Sequence, residues 1–92
     1  MSGTYGSVSE LFCLVERHFG LDRQGALADR RPIAVAARAA LAVRLRALGG
    51  LSNAEVARVI ECDPSTVSYL VNHRNRLARA APEAFVAVSE AP

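Results

Sequence analysis

Between Leu51 and Asn72, the apolar positions follow the spacing that is typical of two short helices packed against each other. The apolar or small positions are Val56, Ala57, Ile60, Cys62, Val67 and Leu70. Asp63 can cap the second helix, and Pro64 fits its first turn because the missing N–H has no helical partner there. Glu61 stands where glycine often allows a left-handed backbone, so the turn must use a conformation that a non-glycine residue tolerates. This pattern predicts a helix-turn-helix over residues 51–72.

A further amphipathic helix is predicted near the start of the chain. Ser7 and Glu10 have the spacing of a capping box, and Gly20 is a suitable C-terminal stop. The apolar residues between them recur at helical spacing and are Val8, Leu11, Phe12, Val15 and Phe19. The pattern therefore predicts a helix over Val8–Phe19, preceded by a flexible tail over residues 1–7.

A short helix and a pair of arginines follow. Asp22 is placed to cap a helix over about residues 23–30. Arg30 and Arg31 stand at its end, directly before Pro32. In a loop, these arginines can contact DNA phosphates or enter a minor groove. The alternative is that they only neutralise the C-terminal end of the helix dipole, and the sequence leaves both interpretations open.

Pro32 opens the longest predicted helix, which extends to about Leu48 and ends at a pair of glycines. One face of this helix is expected to be buried, at Ile33, Ala37, Leu41, Leu45 and Leu48. The arginines that lie off that face are Arg38, Arg44 and Arg46. We expect them to be solvated, with at most an auxiliary contact to phosphate.

The second helix of the predicted helix-turn-helix continues into an arginine-rich segment. It carries Arg74, Arg76 and Arg79 before Ala81-Pro82 breaks it. A last short helix is predicted over residues 82–89, with apolar residues at Phe85, Val86 and Val88. This segment either folds back on the bundle or contacts a partner. We favour the first alternative, because covering the protein's own core needs no second molecule.

Length and composition favour one small all-α domain. The chain has 92 residues, abundant alanine and few aromatic residues, and no segment alternates apolar and polar positions over a strand length. We expect a small helical bundle over residues 8–80, with residues 81–92 as a short C-terminal helix or tail.

All 11 basic residues are arginine, and the net charge is +2. Arginine suits phosphate recognition, although a GC-rich genome produces the same usage.

The same sequence disfavours several other classes of protein. Cys13 and Cys62 belong to no paired motif, and with His18 and His73 as the only histidines there is no metal-ligand pattern. We expect both cysteines to be small buried side chains in a reducing cytoplasm, and we expect no metal or cofactor. We also expect neither a signal peptide nor a membrane span. No glycine-rich phosphate loop or paired nucleophile indicates an enzyme.

The outward positions of the second predicted helix carry hydrogen-bonding side chains, at Ser65, Thr66, Ser68, Tyr69, Asn72 and His73. The residues interpreted as contacts to base edges in a DNA major groove are Ser65, Ser68, Tyr69 and Asn72. Of these, Asn72 is the expected adenine contact. The residues assigned to phosphates or to the minor groove are Arg30, Arg31, Thr66, His73, Arg74 and Arg76. Alternatively, the hairpin never touches nucleic acid, and the chain is a protein-interaction module that binds through its apolar C-terminal segment.

Several short motifs occur in a defined order along the chain. They are Arg30-Arg31 with Val35-Ala36, Leu41-Ala42-Val43 with Leu45, Leu51-Ser52, Glu55-Val56-Ala57, and Asp63 with Ser65-Thr66-Val67. In these motifs, residues 16–77 resemble the C-terminal, DNA-binding domain of the bacterial replication initiator DnaA. The resemblance implies a Trp-repressor-like helical bundle whose basic loop enters the minor groove. It also implies that Ser65 and Thr66 face the major groove.

The departures from this family concern its DNA contacts. The family has a basic residue before the aspartate and a histidine after it, where this chain has Cys62 and Pro64, and the family's Pro-Arg-Gln is replaced by Arg38-Ala39-Ala40. Stand-alone domains without the ATPase are similar to the DNA-binding part of gene transfer agent activators in alphaproteobacteria, which work with a sigma-factor-like protein and RNA polymerase. The resemblance therefore implies a cytoplasmic, nucleoid-associated activator that binds double-stranded DNA. A regulator that binds replication origins is the alternative.

Overall fold

The helices begin close to the positions that the sequence pattern predicts. The computed structural model describes residues 8–47 and 49–91, so the predicted tail, Ser7 of the capping box and Leu48 lie outside the described residues. The α-helices are α1 (Val8–Phe19), α2 (Arg23–Ala28), α3 (Pro32–Ala47), α4 (Asn53–Ile60), α5 (Pro64–Asn72), α6 (Arg74–Leu77) and α7 (Pro82–Ser89). A 3₁₀ turn over Ala78–Ala80 follows α6, and the described ranges contain no strand. The predicted all-α class is confirmed.

Local signals explain where several helices start and stop. Asp22 caps α2, because its carboxylate accepts a hydrogen bond from the Gly25 N–H at 2.7 Å. Pro32 and Pro64 stand at the first positions of α3 and α5, where no intrahelical donor is needed. α1 ends before Gly20, whose φ of 71° lies in the left-handed region that favours glycine. Each of these signals acts within a few residues of the chain.

α3 is the central helix of the bundle, and it contacts each of the other α-helices. Its buried residues are Ala34, Ala36, Ala37, Ala39, Ala40, Leu41, Ala42, Arg44 and Leu45. The buried surface of α3 is therefore wider than the single face that the sequence predicts. Ile33, the first residue of that predicted face, is only half-buried. Helices cover α3 on several sides, which is possible because alanine side chains let neighbouring helices approach closely.

The expectation that the arginines of α3 are solvated is wrong for Arg44 and Arg38. Arg44 is completely buried, and its Nε donates to the carbonyl oxygen of Ala91 at 2.7 Å. Arg38 is half-buried, and its Nη1 donates to carbonyl oxygens of Ala26 and Asp29, at the end of α2, at 2.8 and 2.9 Å. The physical reason is that α2 and the segment after α7 bring buried carbonyl groups to α3, and these groups need donors.

α7 folds back on the bundle and packs against α1 and α3. Phe85 and Val88 are buried, as is Ala91 beyond the end of the helix. Val86 is different, since 50% of its surface is exposed. The C-terminal helix therefore shares the core of the other helices.

α5 ends earlier than predicted. Its last residue is Asn72, and His73, with φ −108° and ψ 19°, leaves the helical conformation. The arginines that follow lie on α6 and on the 3₁₀ turn, at Arg74, Arg76 and Arg79. The prediction of one continuous helix through these arginines is wrong, because α6 and the 3₁₀ turn pack separately on α3.

The cysteines do not match the expectation that both are buried. Cys13 is exposed, because the buried face of α1 is formed by Leu11, Phe12, Val15 and Phe19. Cys62 is half-buried, and its burial together with the neighbouring Asp63 raises the pKa of its thiol. Both residues are free thiols. The expectation is wrong for Cys13 and only partly met by Cys62.

The longest described helix is α3, with 16 residues. A helix that crosses a bilayer needs about 20 predominantly apolar residues. Within residues 8–47 and 49–91, no helix has the length and apolar character that this requires.

Replacing Arg44 by methionine is expected to lower the free energy of unfolding by about 2–3 kcal/mol, because the buried Ala91 carbonyl loses its charged donor. For a domain of this size, that loss corresponds to a fall in melting temperature of roughly 10–20 °C. Arg46→Met is the matched control, since Arg46 is exposed on the same helix. Thermal unfolding followed by circular dichroism measures both variants. Equal effects at the two positions would contradict the role assigned to Arg44.

Candidate nucleic-acid interface

A capping box fixes the start of α4. The Ser52 Oγ accepts a hydrogen bond from the Glu55 N–H at 3.2 Å, and the Glu55 Oε1 accepts one from the Ser52 N–H at 2.8 Å. These bonds favour the charged carboxylate and lower the pKa of Glu55. This box was not among the predicted helix starts, although Ser-x-x-Glu is its signature.

The turn between α4 and α5 contains Glu61 in the left-handed conformation, with φ 59° and ψ 52°. Among the described residues, Glu61 is the only non-glycine residue with a positive φ. This conformation is one that a non-glycine residue tolerates, at a cost of roughly 1 kcal/mol. Asp63 occupies the predicted N-cap position of α5, but its side chain makes no capping hydrogen bond.

A shared core holds α4 and α5 together. Its buried residues are Val56, Ala57 and Ile60 on α4 and Val67 and Leu70 on α5. α5 also packs against α3. Since only Val67 and Leu70 of α5 are buried, the rest of this helix is wholly or partly accessible.

The residues predicted to point outward from α5 differ in their exposure. Those that are exposed are Ser65, Tyr69, Asn72 and His73. Thr66 and Ser68 are half-buried. The Ser68 Oγ also accepts a hydrogen bond from Asn53 Nδ2 at 3.0 Å, so this hydroxyl is already bonded to α4. Ser65, Tyr69 and Asn72 share one exposed side of α5, because they follow each other at spacings of four and three residues.

Tyr69, His73 and Arg76 form a cluster at the C-terminal end of α5. The Arg76 Nη2 donates a hydrogen bond to the Tyr69 Oη at 2.7 Å. The guanidinium carbon of Arg76 also lies 5.9 Å from the centre of the tyrosine ring. The rings of Tyr69 and His73 lie 4.5 Å apart, with an angle of 48° between their planes. These contacts fix the phenol at the surface, where Tyr69 is 45% exposed.

Arg74 contacts a different part of the molecule. Its Nη1 donates to the carbonyl oxygen of Val71 at 2.8 Å. Its side chain lines a groove of about 610 Å³ between α3, α6 and α7, together with Val43, Phe85 and Val86. Arg74 and Arg76 were both predicted to contact phosphate, yet they serve different surfaces.

The two arginines before α3, Arg30 and Arg31, also differ in their contacts. α2 ends at Ala28, earlier than predicted, and Asp29 is extended. The Asp29 carboxylate accepts hydrogen bonds from the Nε and the backbone N–H of Arg31, both at 2.8 Å, and lies 2.7 Å from its Nη2. These contacts lower the pKa of Asp29. Arg31 therefore forms an ion pair that neither sequence interpretation included, while Arg30 is exposed outside this pair.

Arg58 was not among the predicted contact residues. It is exposed on α4 and lines a shallow groove with Cys62 and Asp63, directly before α5. The sequence signal that could have identified Arg58 was its outward position on α4, between Ala57 and Val59. The end of α2 lies near the same turn, because Leu27 and Ala28 line one pocket together with Glu61.

Comparisons of the chain with known protein families, with curated proteins and with solved structures found no match. The resemblance to the initiator's DNA-binding domain therefore stays a prediction.

Glu61→Asn and Glu61→Gly are expected to keep or raise the melting temperature, by up to a few degrees, because asparagine and glycine adopt positive φ more readily. Glu61→Val should lower the free energy of unfolding by more than about 1 kcal/mol, since a β-branched residue is strained there. Thermal unfolding gives the order of the variants. Glu16→Val, at an exposed helical position, is the control for valine itself. A Glu61→Val protein as stable as this control would contradict the prediction.

Ser68→Ala is expected to lower the free energy of unfolding by about 1 kcal/mol, because the Asn53 amide loses its acceptor. Asn53→Ala should have a similar effect, and the double variant should show a coupling of about 0.5–1.5 kcal/mol. Denaturant titration measures the complete cycle. Ser65→Ala on the exposed side of α5 should change stability by less than about 0.5 kcal/mol. Strictly additive losses would mean that the Asn53–Ser68 bond does not stabilise the protein.

Proposed function

We propose that this protein is a sequence-specific regulator of transcription that binds double-stranded DNA, with α4 and α5 as its helix-turn-helix. The observation that carries the proposal is the exposed side of α5 with Ser65, Tyr69 and Asn72. No acidic residue occurs between Pro64 and Pro82. A helix that is buried at only two positions and presents hydrogen-bonding side chains without acids fits a DNA major groove.

In the proposed complex, α5 lies in the major groove and α4 crosses the DNA backbone. Asn72 pairs with adenine, because its amide offers the acceptor and donor that match adenine N6 and N7. Ser65 and Tyr69 contact neighbouring base edges. Arg58, which lines the groove next to the start of α5, and the exposed Arg30 contact phosphates and position the helix without reading sequence.

The resemblance to the initiator's DNA-binding domain supports the same role. Cys62 and Pro64 stand where that family has a basic residue and a histidine, so the proposed target differs from the initiator's. By similarity with gene transfer agent activators, the proposed partner is RNA polymerase or a sigma-factor-like protein. One recognition helix contacts only a few base pairs, so tight binding requires a partner on DNA or repeated sites.

A second candidate function is protein binding through the groove between α3, α6 and α7. Val86 favours it, because this apolar side chain is 50% exposed beside the groove. Arg46 and Arg74 line the adjoining surface of α3 and α6. Their charges fit an acidic amphipathic segment of another protein. Glu61 and Asp63 before α5 also favour this candidate, since acidic groups repel DNA phosphates.

Asn72→Ala is expected to weaken binding to the preferred DNA site by about 1–3 kcal/mol, with unchanged binding to random DNA, because only base contacts are lost. Arg58→Ala should weaken binding to both DNAs alike and reduce the slope of log K against log salt by about 1. The preferred site is first obtained by selecting genomic fragments on the purified protein at about 150 mM salt. Fluorescence anisotropy then measures each variant.

Arg17→Ala, at an exposed position on α1, is the control and should bind both DNAs like the wild type. Equal losses on both DNAs for Asn72→Ala would contradict the base contact. A wild-type protein that selects no sequence, and whose retention on a DNA column does not depend on salt, would contradict the proposed function. That result would favour the groove and a protein partner.

A further inference from the structure

We propose that the phenol of Tyr69 donates a hydrogen bond to N7 of a purine, and that Arg76 is a positioning residue that orients this phenol by donating a hydrogen bond to its oxygen. The inference rests on the proposed function, because it specifies what one side chain on α5 recognises in DNA. It also replaces the role that the sequence suggested for Arg76, a direct contact to phosphate.

The direction of the hydrogen bond between Arg76 and Tyr69 follows from their chemistry. A guanidinium group has donors and no acceptor, so at 2.7 Å the Arg76 Nη2 donates and the Tyr69 oxygen accepts. The phenol hydrogen takes no part in this bond. Among the described residues, none accepts that hydrogen, and Tyr69 is 45% exposed. Its remaining donor is therefore available to a ligand outside the protein.

The phenol is also held in place before any ligand binds. Arg76 fixes the hydroxyl end, and the ring of His73 packs 4.5 Å from the tyrosine ring. A side chain that is already ordered loses less conformational entropy on binding. Tyr69 lies between Ser65 and Asn72 on the exposed side of α5, so the proposed donor belongs to the surface that carries these two side chains.

The edges of the bases differ in what they offer to such a donor. Adenine and guanine both present N7 as an acceptor in the major groove, whereas cytosine presents an amino donor. Because the phenol oxygen already accepts from Arg76, it is poorly placed to accept from cytosine as well. Thymine has an acceptor, but its methyl group stands beside it in the groove. The expected preference is therefore for a purine at one position of the site.

The test uses the full chain and the DNA site selected by the wild-type protein. Tyr69→Phe keeps the ring and removes the hydroxyl, and Arg76→Met keeps an unbranched apolar stem and removes the donors. Each change should weaken binding to that site about 3- to 10-fold. The double variant should bind no more weakly than Tyr69→Phe, because Arg76 acts through the phenol.

A second arm identifies the acceptor in the DNA. Each purine of the site is replaced in turn by its 7-deaza analogue, which lacks the N7 acceptor. One replacement should weaken binding of the wild type about 3- to 10-fold and leave binding of Tyr69→Phe unchanged. Arg79→Met, which removes an exposed arginine from the 3₁₀ turn, should keep this sensitivity. Melting temperatures verify that every variant is folded.

Additive losses in the double variant, with a salt slope lowered by about 0.9 for Arg76→Met, would place Arg76 on a phosphate and overturn the inference. Unchanged binding by Tyr69→Phe, or no sensitivity to any 7-deazapurine, would also overturn it. In each of these cases the proposed function stands, because the wild type still selects one motif. A wild-type protein that selects no motif overturns both.

Discussion

The burial of α3 on most of its sides is the constraint on which the rest of the structure depends. Within residues 8–47 and 49–91, every other α-helix contacts it, and none of those helices is longer than the 12 residues of α1. Isolated helices shorter than about 12–15 residues are marginal in water, so these elements depend on tertiary packing. Alanine permits such packing, because it is small and loses no side-chain entropy on burial. Arg44 is the exception, since its stem fills part of the core while its Nε satisfies the Ala91 carbonyl.

The accessibility of α5 follows from this arrangement. Val67 and Leu70 anchor the helix to α3 and α4, and the bond between Asn53 and Ser68 adds a polar contact between α4 and α5. The left-handed residue Glu61 sets the path of the turn. All these contacts lie on the inner side of α5 or at its ends. The side chains on its outer side are therefore not needed to hold the helix in place, and they are available for recognition.

The sequence predicted those features that depend on nearby residues. Asp22, Pro32 and Pro64 mark helix starts because caps and prolines act on the first turn of their own helix. The exposure of Cys13 was also predictable from the helical period, because Cys13 lies off the apolar face of α1. The burial of Arg44 depends instead on which segments pack over α3, and no local pattern encodes that. The end of α5 at His73 was missed for the same reason. At the candidate site, the outward register of Ser65, Tyr69 and Asn72 was predictable from the helical period, whereas the bonds made by Ser68 and Arg76 were not.

Several arginines make contacts within the protein, so the number of arginines does not measure the surface that can contact DNA phosphates. Arg31 is paired with Asp29, Arg44 is buried, and Arg38 and Arg74 donate to backbone carbonyls. Arg31 and Arg44 therefore add little to the outward-facing cationic surface, and the proposed complex uses only Arg30 and Arg58 for phosphate contacts. Each phosphate contact contributes a comparable, sequence-independent share of affinity for DNA, so a surface with few such contacts binds random DNA weakly. Under the proposed function, discrimination then rests on hydrogen bonds to base edges. The order that Arg76 and His73 impose on Tyr69 matters for this reason, because weak background binding leaves selectivity to the few side chains that are already in position.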